Sequence, residues 1–477
     1  MSFFDDFELI NCPCGKDHSF SSDIIIGDGV INQLPDALKA KGIKKVFMLS
    51  DKNTFSAAGE AVEKILTDSG IKVVGYSFQK DVLEPDETNV GLAIMHFDPS
   101  VDAVLGVGSG VVNDISKIVS NISNKFYCIV GTAPSMDGYA SATSSMTRDG
   151  LKISLSSKCA DLIVGDIDIL CNAPIKMMVS GLGDMVAKYI SIAEWRISNL
   201  INGEYYCEKI ASLVRTALKK CVDNAEGLLK RDKTAVRAVF EGLVICGAAM
   251  NFAGISRPAS GCEHYISHIW DMRGAEFGLP VEFHGLQCAV GTLICAKIYK
   301  KFECLIPHIG KAYGYVTSFD REGWSRQLRE FLGKGAEDMI ALEVKEQKYS
   351  PNLHASRIER IIDNWEGILK IINEEIPSVK YIEFLLDSIG CPKEPEDVGV
   401  NSSILPMTFK ASKDIRDKYV LSRLCWDLGI IDEISEELKC PSLPKKPSFV
   451  QNTAILRPCR TVLTARSGAT TTDIGAF

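Results

Sequence analysis

Three of the seven histidines lie close together in the chain, at His264, His268 and His284. The segment Gly181-Leu-Gly-Asp184 starts a predicted helix and adds a carboxylate. Two imidazoles and a carboxylate suit zinc, iron or nickel, and a coordination position left open would suit Lewis-acid catalysis. His268 follows His264 by one helical turn, so both side chains share a helix face. The alternative is that these histidines are structural and form hydrogen bonds inside the fold.

A glycine-rich turn, Gly106-Val-Gly-Ser-Gly110, follows a strand predicted at Ala103–Val107 and opens a helix predicted at Val111–Val119. Glycines allow the backbone to approach a pyrophosphate, and the helix N-terminus supplies N–H groups and a favourable dipole. Asn113 and Asp114 add polar groups to the same turn. The pattern departs from GxGxxG, so a plain tight turn is the alternative.

Two further strand ends carry polar residues. The strand predicted at Tyr127–Val130 is followed by the hydroxyl-rich segment Gly131–Ser145, which could hold a nicotinamide ribose or a substrate. An exposed Ser/Thr-rich loop is the alternative for this segment.

Asp51 follows the strand predicted at Lys45–Ser50 and could accept both hydroxyls of an adenosine ribose, which favours NAD. Its neighbour Lys52 would tolerate the extra phosphate of NADP, and a helix cap is the alternative role for Asp51.

Cys12-Pro-Cys14 and His18 form a small group of soft ligands near the start of the chain. The group lacks the second CxxC or HxxxH pair of a zinc finger, so we interpret it as not metal-binding. The chain has 16 cysteines, and several of them lie in apolar segments, where cysteine packs as a small hydrophobic residue.

The elements that must position these residues fall into two groups. In the first third of the chain, short apolar runs alternate with amphipathic stretches, which predicts a parallel sheet covered by helices. Ligands bind such sheets at the carboxyl ends of the strands. From Met177 to about Leu438, helical periodicity dominates. We therefore predict an NAD(P)-binding domain at 1–173, a helical metal and substrate domain at 174–440, and a flexible basic tail at 441–477.

Composition argues against several classes of protein. Of the 477 residues, 24% are charged and 46% are hydrophobic, which is typical of a globular protein. A net charge of −8 argues against general nucleic-acid binding.

The most apolar window, Phe240–Ile255, contains Glu241 and Asn251 and is too short for a membrane span. The acidic N-terminus is unlike a secretion signal, so we expect a cytoplasmic protein with reduced cysteines and no nucleic-acid or membrane partner.

Several segments together resemble those of one enzyme family. They are Gly106–Asp114, Thr132–Asp137, Gly181–Asp184, Arg257–His264 and His284-Gly285. As an ordered set they are similar to the sn-glycerol-1-phosphate dehydrogenases, especially the bacterial AraM-like branch. That family lies in the superfamily of iron-containing alcohol dehydrogenases and dehydroquinate synthases. The resemblance runs from about Ser19 to about residue 435 and leaves out the basic C-terminal end.

The resemblance implies a fold and a site. The fold would be an α/β Rossmann-like N-terminal domain plus an all-α C-terminal domain, the dehydroquinate synthase-like architecture, with the site in the cleft between them. One divalent metal ion (nickel, zinc or iron) would be bound by the catalytic residues Asp184, His264 and His284. Asp137, Asp184 and His268 would contact the substrate. NAD(H) or NADP(H) would be bound by the following residues: Asp51, Gly108, Ser109, Gly110, Val111, Val112, Asn113, Asp114, Thr132, Ser135 and Ser141.

The resemblance also suggests a phosphate contact and a reaction. Arg257 precedes His264 in a position like that of an arginine that contacts phosphate or phosphonate in dehydroquinate synthases. We therefore expect Arg257 to bind the substrate phosphate through its planar guanidinium. The implied reaction interconverts dihydroxyacetone phosphate and sn-glycerol 1-phosphate by hydride transfer, with the metal stabilising charge on the substrate oxygen. Its reductive direction would feed phospholipid precursors, and the resemblance implies a homodimer.

Three alternatives stay open on the sequence. A glycerol dehydrogenase, or another metal-dependent alcohol dehydrogenase, would share the metal and cofactor sites without needing a phosphate site. A dehydroquinate synthase-like lyase would carry an Asp-Ser-Ser-Gly-Gly-Lys type run after the glycine-rich loop, whereas this chain has Pro134–Ser141. A non-catalytic, metal-stabilised binding protein is disfavoured because the set of Asp184, His264 and His284 is complete.

Overall fold

A parallel six-stranded sheet forms the N-terminal part of the computed structural model, which describes residues 12–148 and 151–439. The strands are β1 Asp23–Gly27, β2 Lys45–Asp51, β3 Lys72–Phe78, β4 Ala103–Gly108, β5 Phe126–Gly131, β6 Thr143–Arg148, β7 Leu151–Ser156 and β8 Leu162–Asp166. The sheet order is β1-β8-β5-β4-β2-β3, and β6 pairs with β7 in a separate antiparallel hairpin. All of β4 is buried, as expected for a strand covered by helices on both faces.

Helices connect the strands as the alternation of apolar runs predicts. They are α1 Leu34–Ala40, α2 Lys52–Thr54, α3 Glu60–Asp68, α4 Glu87–Met95 and α5 Gly110–Ser123. The predicted α/β fold is thereby confirmed for this part of the chain. The β6–β7 hairpin was not predicted, because we interpreted Gly131–Ser145 as a hydroxyl-rich loop. The hairpin lies outside the six-stranded sheet, and β6 is rich in serine and threonine, so β6 lacks the apolar run of a core strand.

Helices dominate the rest of the described chain. They are α6 Ile167–Leu170, α7 Ile175–Val186, α8 Lys188–Asn202, α9 Glu208–Asp223, α10 Lys233–Ala253, α11 Cys262–Phe277, α12 His284–Lys301, α13 Ile309–Thr317, α14 Arg321–Leu332, α15 Gly335–Lys345, α16 Pro351–Asp363, α17 Trp365–Glu375, α18 Val379–Ser388, α19 Leu405–Ser412, α20 Leu421–Asp427 and α21 Ile431–Glu437. Strands thus end at Asp166 and helices follow, close to the predicted boundary at 173/174. The predicted tail at 441–477 lies outside the described residues.

Helix α10 joins the helical part to the sheet. Its Phe240 ring packs at the carboxyl ends of β5 and β8, where a Cβ on Gly131 or Gly165 would lie within 3 Å of the ring. By length and composition α10 is the one described helix that could cross a membrane, but it is mostly buried inside the protein. Its apolar surface therefore forms part of the core.

Candidate metal and cofactor site

The structure brings together the three predicted metal ligands from three helices. Asp184 lies near the end of α7, His264 in the first turn of α11, and His284 at the start of α12. His264 Nε2 is 3.5 Å from Asp184 Oδ1, and the centroids of the His264 and His284 rings are 5.0 Å apart. Asp184 and His264 are buried. Ligand atoms of Asp137, Asp184 and His264 lie within 4.8 Å of one another, and so do those of His264, His284 and Cys288. A carboxylate and two imidazoles are a donor set that fits a divalent first-row metal ion.

Glycines in the two short motifs allow the helices to approach closely enough for this arrangement. A Cβ on Gly181 would lie 1.9 Å from the carbonyl oxygen of Pro134, and one on Gly285 would lie 1.9 Å from that of Ser180. A Cβ on Gly183 would lie 2.4 Å from the carbonyl oxygen of Gly285. Backbone therefore packs directly on backbone where α7 meets α12, and this contact fixes the distance between the helices that carry Asp184 and His284.

Lys188 completes the buried charge cluster and was not predicted. Its Nζ lies 2.7 Å from Asp137 Oδ2, 2.8 Å from Asp184 Oδ1 and 3.0 Å from the carbonyl oxygen of Ala259. Although burial lowers it, the two carboxylates hold the pKa of Lys188 well above its ordinary value. The backbone N–H of Asp137 also donates to Asp184 Oδ2, at 3.0 Å. The signal in the sequence was the spacing of Asp184 and Lys188, which puts both on one helix face.

Neighbouring side chains orient the two histidine ligands. The Nδ1 atom of His264 is 2.8 Å from Glu263 Oε1, which leaves Nε2 on the side of Asp184. His284 Nδ1 is 3.2 Å from Ser267 Oγ, and its Nε2 is 3.5 Å from Cys288 Sγ. Partners of this kind fix the ring orientation and the tautomer of metal-binding histidines. Cys288 was not predicted, and it follows His284 by one helical turn.

A basic cavity adjoins the metal ligands on the side of His268. The His268 ring stacks on His284, with centroids 5.7 Å apart. The cavity has a volume of about 440 Å³, and its lining includes His268, Lys152, Lys345, Arg416 and one carboxylate, Asp338. Burial, together with the charges of Arg416 and Lys152, holds the pKa of His268 well below the usual range for histidine. At neutral pH the His268 imidazole is therefore neutral, and it lies beside two lysines and one arginine that line the same cavity.

The glycine-rich turn lies where the predicted cofactor site requires it. Gly108 ends β4, Ser109 precedes α5, and no side chain caps the first turn of this helix. A Cβ on Gly108 would lie 2.5 Å from the Val112 side chain, so glycine is needed for the turn. Thr132 follows the neighbouring strand β5, and its N–H donates to the carbonyl oxygen of Gly108 at 3.1 Å. The exposed backbone of a helix N-terminus next to a second strand end fits a pyrophosphate.

The other predicted residues of the glycine-rich loop lie on the same turn. Gly110, Val111 and Val112 form the first turn of α5. Ser135 Oγ is 3.4 Å from Ser109 Oγ, so the loops after β4 and β5 meet. A Cβ on Gly110 would lie 3.4 Å from the Met136 side chain. The two loops thus form one surface at the carboxyl edge of the sheet.

Three residues that we expected to bind cofactor also form internal contacts, and their cofactor roles stay predictions. Asn113 donates from Nδ2 to the carbonyl oxygen of Gly138 at 3.1 Å and accepts at Oδ1 from the Tyr127 hydroxyl at 2.8 Å. Ser141 Oγ accepts from Lys117 Nζ at 3.1 Å. Asp114 Oδ1 lies 3.9 Å from the same ammonium group. Burial raises the pKa of Asp114 to about 6 against the opposing effect of Lys117. These side chains hold the segment after β5 against α5.

Asp51 lies at the carboxyl end of β2 and caps the short helix α2. Its Oδ1 accepts from the N–H groups of Asn53 at 2.7 Å and Thr54 at 2.9 Å. The helix-cap alternative for Asp51 is therefore confirmed. Its predicted contact with the ribose stays a prediction.

The expectation for Arg257 does not agree with its contacts. The side chain is buried, and its Nε and Nη2 donate to the Glu204 carboxylate at 2.7 Å and 2.5 Å. Nη1 donates to the carbonyl oxygen of Tyr419 at 2.7 Å. All three guanidinium nitrogens thus bind groups of the protein itself. Arg257 joins the segment before α11 to the segments that carry Glu204 and Tyr419, and it is not a residue of the basic cavity.

Comparisons with known proteins agree with this fold. Residues 25–174 match the family model of iron-containing alcohol dehydrogenases. The structure is similar to glycerol dehydrogenase from Schizosaccharomyces pombe, with a TM-score of 0.55 at 16% identity over 89% of this chain and 92% of that chain. It is also similar to maleylacetate reductase from a Rhizobium species, with a TM-score of 0.57 at 13% identity over 89% of this chain and 98% of that chain. The protein thus has the fold of the iron-containing alcohol dehydrogenases.

Similarity to individual protein sequences identifies the family within this class. The chain is 27% identical over 415 residues to glycerol-1-phosphate dehydrogenase [NAD(P)+] of Halalkalibacterium halodurans, covering 86% of this chain and 94% of that protein. It is 31% identical over 288 residues to the enzyme of the same name from Methanosarcina mazei, covering 60% of this chain and 78% of that protein. The chain belongs to the glycerol-1-phosphate dehydrogenase family, which confirms the resemblance found in its motifs.

Proposed function

We propose that this protein is a metal-dependent and NAD(P)-dependent dehydrogenase that interconverts dihydroxyacetone phosphate and sn-glycerol 1-phosphate. Its membership of the family supports the reaction class. We also propose that it acts in the cytoplasm, and the homodimer expected from the resemblance stays a prediction.

The basic cavity beside His268 is the observation that carries the choice of substrate. Lys152, Lys345 and Arg416 line it together with His268, and His268 stacks on the metal ligand His284. A phosphate group needs cations and N–H donors close to the reacting carbon, whereas unphosphorylated glycerol needs none. The cavity supports a phosphorylated substrate whose phosphate lies on the His268 side of the site. In this proposal Arg416 and Lys152 replace Arg257 as the phosphate contacts.

Asp184, His264 and His284 would hold the metal ion, and the loops after β4 and β5 would hold the cofactor. When bound, the ion would supply a Lewis acid that polarises the substrate oxygen, and NAD(P)(H) would supply or accept the hydride. The donor set fits the ion, and the first turn of α5 with Gly108 fits a pyrophosphate.

The residues of the chain itself orient the reactants. Lys188 fixes the carboxylates of Asp137 and Asp184 in one geometry, so Asp137 can accept a hydrogen bond from a substrate hydroxyl. Among the described side chains, His268 Nδ1 has no hydrogen-bond partner. Since the ring is neutral at neutral pH, it can accept a proton or a hydrogen bond from the substrate.

The test compares two substrates on one preparation. The protein is stripped of metal and resupplied with nickel, zinc or iron, and NADH oxidation is followed with dihydroxyacetone phosphate or dihydroxyacetone. Metal-dependent turnover of the phosphate alone is the expected result, with the stereochemistry of the product as the next check. Turnover of dihydroxyacetone alone would assign a glycerol dehydrogenase and remove the role of the basic cavity. Absence of turnover with either ketone and every metal would overturn the proposal.

A further inference from the structure

Three cysteines and one histidine meet outside the dehydrogenase site, where the start of the described chain packs near α9. The N-terminal segment supplies Cys12, Cys14 and His18. The fourth residue, Cys207, directly precedes α9. One potential ligand atom from each lies within 4.8 Å of the others. Cys12 Sγ is 3.5 Å from Cys207 Sγ, and His18 Nε2 is 3.2 Å from Cys14 Sγ and 3.7 Å from Cys207 Sγ. We call these four residues the Cys3His cluster.

We propose that the Cys3His cluster is a second metal site, which binds a structural zinc ion. Three thiolates and one imidazole are one of the closed ligand sets of structural zinc sites, and four protein ligands leave no position for substrate. The sequence argued against a site because no second pair of ligands follows Cys12, Cys14 and His18. The fourth ligand is supplied by Cys207, which the fold brings back from a distant part of the chain.

The surroundings of His18 support a ligand role. Its Nδ1 lies 3.0 Å from the carbonyl oxygen of Phe252, so the ring presents Nε2 to the three sulfur atoms. A backbone carbonyl on the other ring nitrogen is a common partner of metal-binding histidines, because it fixes the tautomer and the ring orientation. Cys12, His18 and Cys207 are buried, and Cys14 is partly buried. The site is therefore shielded from solvent on most sides.

The position of the cluster indicates its role. It ties the N-terminal segment to Cys207, just past the loop that carries Glu204, and through His18 to the end of α10 at Phe252. Glu204 in turn binds Arg257, in the segment that leads into α11 and His264. Zinc in the cluster would thus stabilise the scaffold behind the dehydrogenase site. The inference does not depend on the proposed reaction, because its test measures bound metal and stability.

The experiment measures zinc in purified full-length protein by elemental analysis after mild chelation. Four proteins are compared: the wild type, Cys207→Ser, His284→Ala, and the control Cys391→Ser. Cys391 is about as buried as Cys12 but lies outside the cluster, so its variant controls for loss of a buried thiol. We expect one tightly held zinc per chain in the wild type and both other variants, and its loss in Cys207→Ser. If Cys207→Ser does not fold, Cys14→Ser replaces it, since Cys14 is only partly buried.

Cobalt substitution supplies an independent readout. Cobalt(II) bound by thiolates gives a strong charge-transfer absorption that oxygen and nitrogen ligands do not give. Because Cys288 lies beside His284, the experiment uses a Cys288→Ser background. We expect the absorption in this background and its loss when Cys207→Ser is added. Absence of zinc from the His284→Ala variant, a Cys12–Cys207 disulfide in protein purified under reducing conditions, or a cobalt absorption that persists when Cys207→Ser is added would each overturn the proposal.

Discussion

The ammonium group of Lys188 lies 2.8 Å from Asp184 Oδ1, with both side chains fully buried. Lys188 also binds Asp137, which is partly exposed, so one buried cation balances a buried carboxylate and a partly buried one. A charge in the protein interior is costly unless it is paired. In this site the pairing holds a predicted metal ligand and a predicted substrate contact in fixed positions before either the metal or the substrate is bound.

Replacing Lys188 by methionine tests this role. Lys188→Met leaves the carboxylates of Asp137 and Asp184 without their cation, so we expect metal-free protein to lose about 3–5 kcal/mol of stability. A divalent ion would supply positive charge to the same carboxylate, so added zinc should recover more stability in the variant than in the wild type. Thermal unfolding with and without zinc measures both effects.

The control for this experiment is Lys188→Arg, which keeps the positive charge. We expect it to be less destabilised than Lys188→Met in the absence of metal. Equal melting temperatures for wild type and Lys188→Met without metal would show that the lysine does not balance the two carboxylates.

A variant of Arg416 tests where the substrate phosphate binds. Arg416→Gln removes a cation from the basic cavity, and a hydrogen bond to a charged group contributes about 1.5–3 kcal/mol. We therefore expect KM for dihydroxyacetone phosphate to rise by roughly 10-fold or more, with kcat less affected. KM for NADH, measured on the same preparation, is the internal control. An unchanged KM for the phosphate would remove Arg416 from the proposed site, and Lys152→Gln would then be the next variant.

Arg257 should behave in the opposite way. Its guanidinium is buried and bound to Glu204 and to the backbone at Tyr419, so Arg257→Gln should cost about 2–4 kcal/mol of stability. KM for dihydroxyacetone phosphate should stay close to that of the wild type. A selective rise in KM for the phosphate, at wild-type stability, would restore the expectation drawn from the family resemblance.

The sheet could be predicted because its buried strands are nearly continuous apolar runs, as β4 and β5 show. The helical periodicity of residues 410–428 predicts one continuous helix, whereas the structure has α19 and α20 with a connecting segment between them. In that segment Lys413 and Asp414 are buried and paired. Sequence periodicity cannot show that two charged residues will be buried as an ion pair. Tertiary contacts therefore decided this region.

The ligand set Asp184, His264 and His284 could be predicted because rare histidines and glycine-bounded motifs mark it. Cys207 could not be predicted as a partner of Cys12, since the two are joined only by the fold. Arg257 was predicted to bind phosphate because of its position before His264. Its actual partner, Glu204, lies in a distant loop, and no local sequence pattern links the two residues. The sequence thus pointed to residues that lie in recognisable motifs and missed partners such as Cys207 and Glu204, which lie in none.

Gly285 provides a test of how the metal ligands are positioned. In Gly285→Ala the new Cβ would lie 1.9 Å from the carbonyl oxygen of Ser180, which cannot move without shifting α7. We expect a loss of at least about 1–3 kcal/mol together with weaker metal binding, because His284 would move away from Asp184. Calorimetric titration with zinc and thermal unfolding measure the two effects.

The matched control is Gly91→Ala, in the exposed part of α4, where a Cβ meets no atom within 4 Å. Alanine is the better helix former by about 1 kcal/mol, so this variant should be at least as stable as the wild type. If Gly285→Ala behaves in the same way, the close packing of α7 on α12 does not determine the site.

Lys413 should make stability depend on pH in the alkaline range. It is buried, with its Nζ 2.9 Å from Asp414 Oδ2 and 3.5 Å from the centre of the Trp324 ring. Burial lowers the pKa of Lys413 to about 7, against the opposing charge of Asp414 and with a further lowering by Arg423. The unfolded chain keeps a lysine pKa of about 10.4. Between these values the unfolded state binds more protons than the folded state, so stability rises with pH.

Lys413→Met removes this titration while Asp414 keeps its contacts with Arg423 and Trp324. At pH 7 and below, the wild type bears the cost of a buried charged lysine that the variant lacks. As pH rises from 7 to 9, the wild type should gain about 1.4 kcal/mol per pH unit relative to the variant. Urea unfolding of both proteins at a series of pH values measures the difference. Parallel stability curves over this range would mean that Lys413 stays charged in the folded protein, held by Asp414.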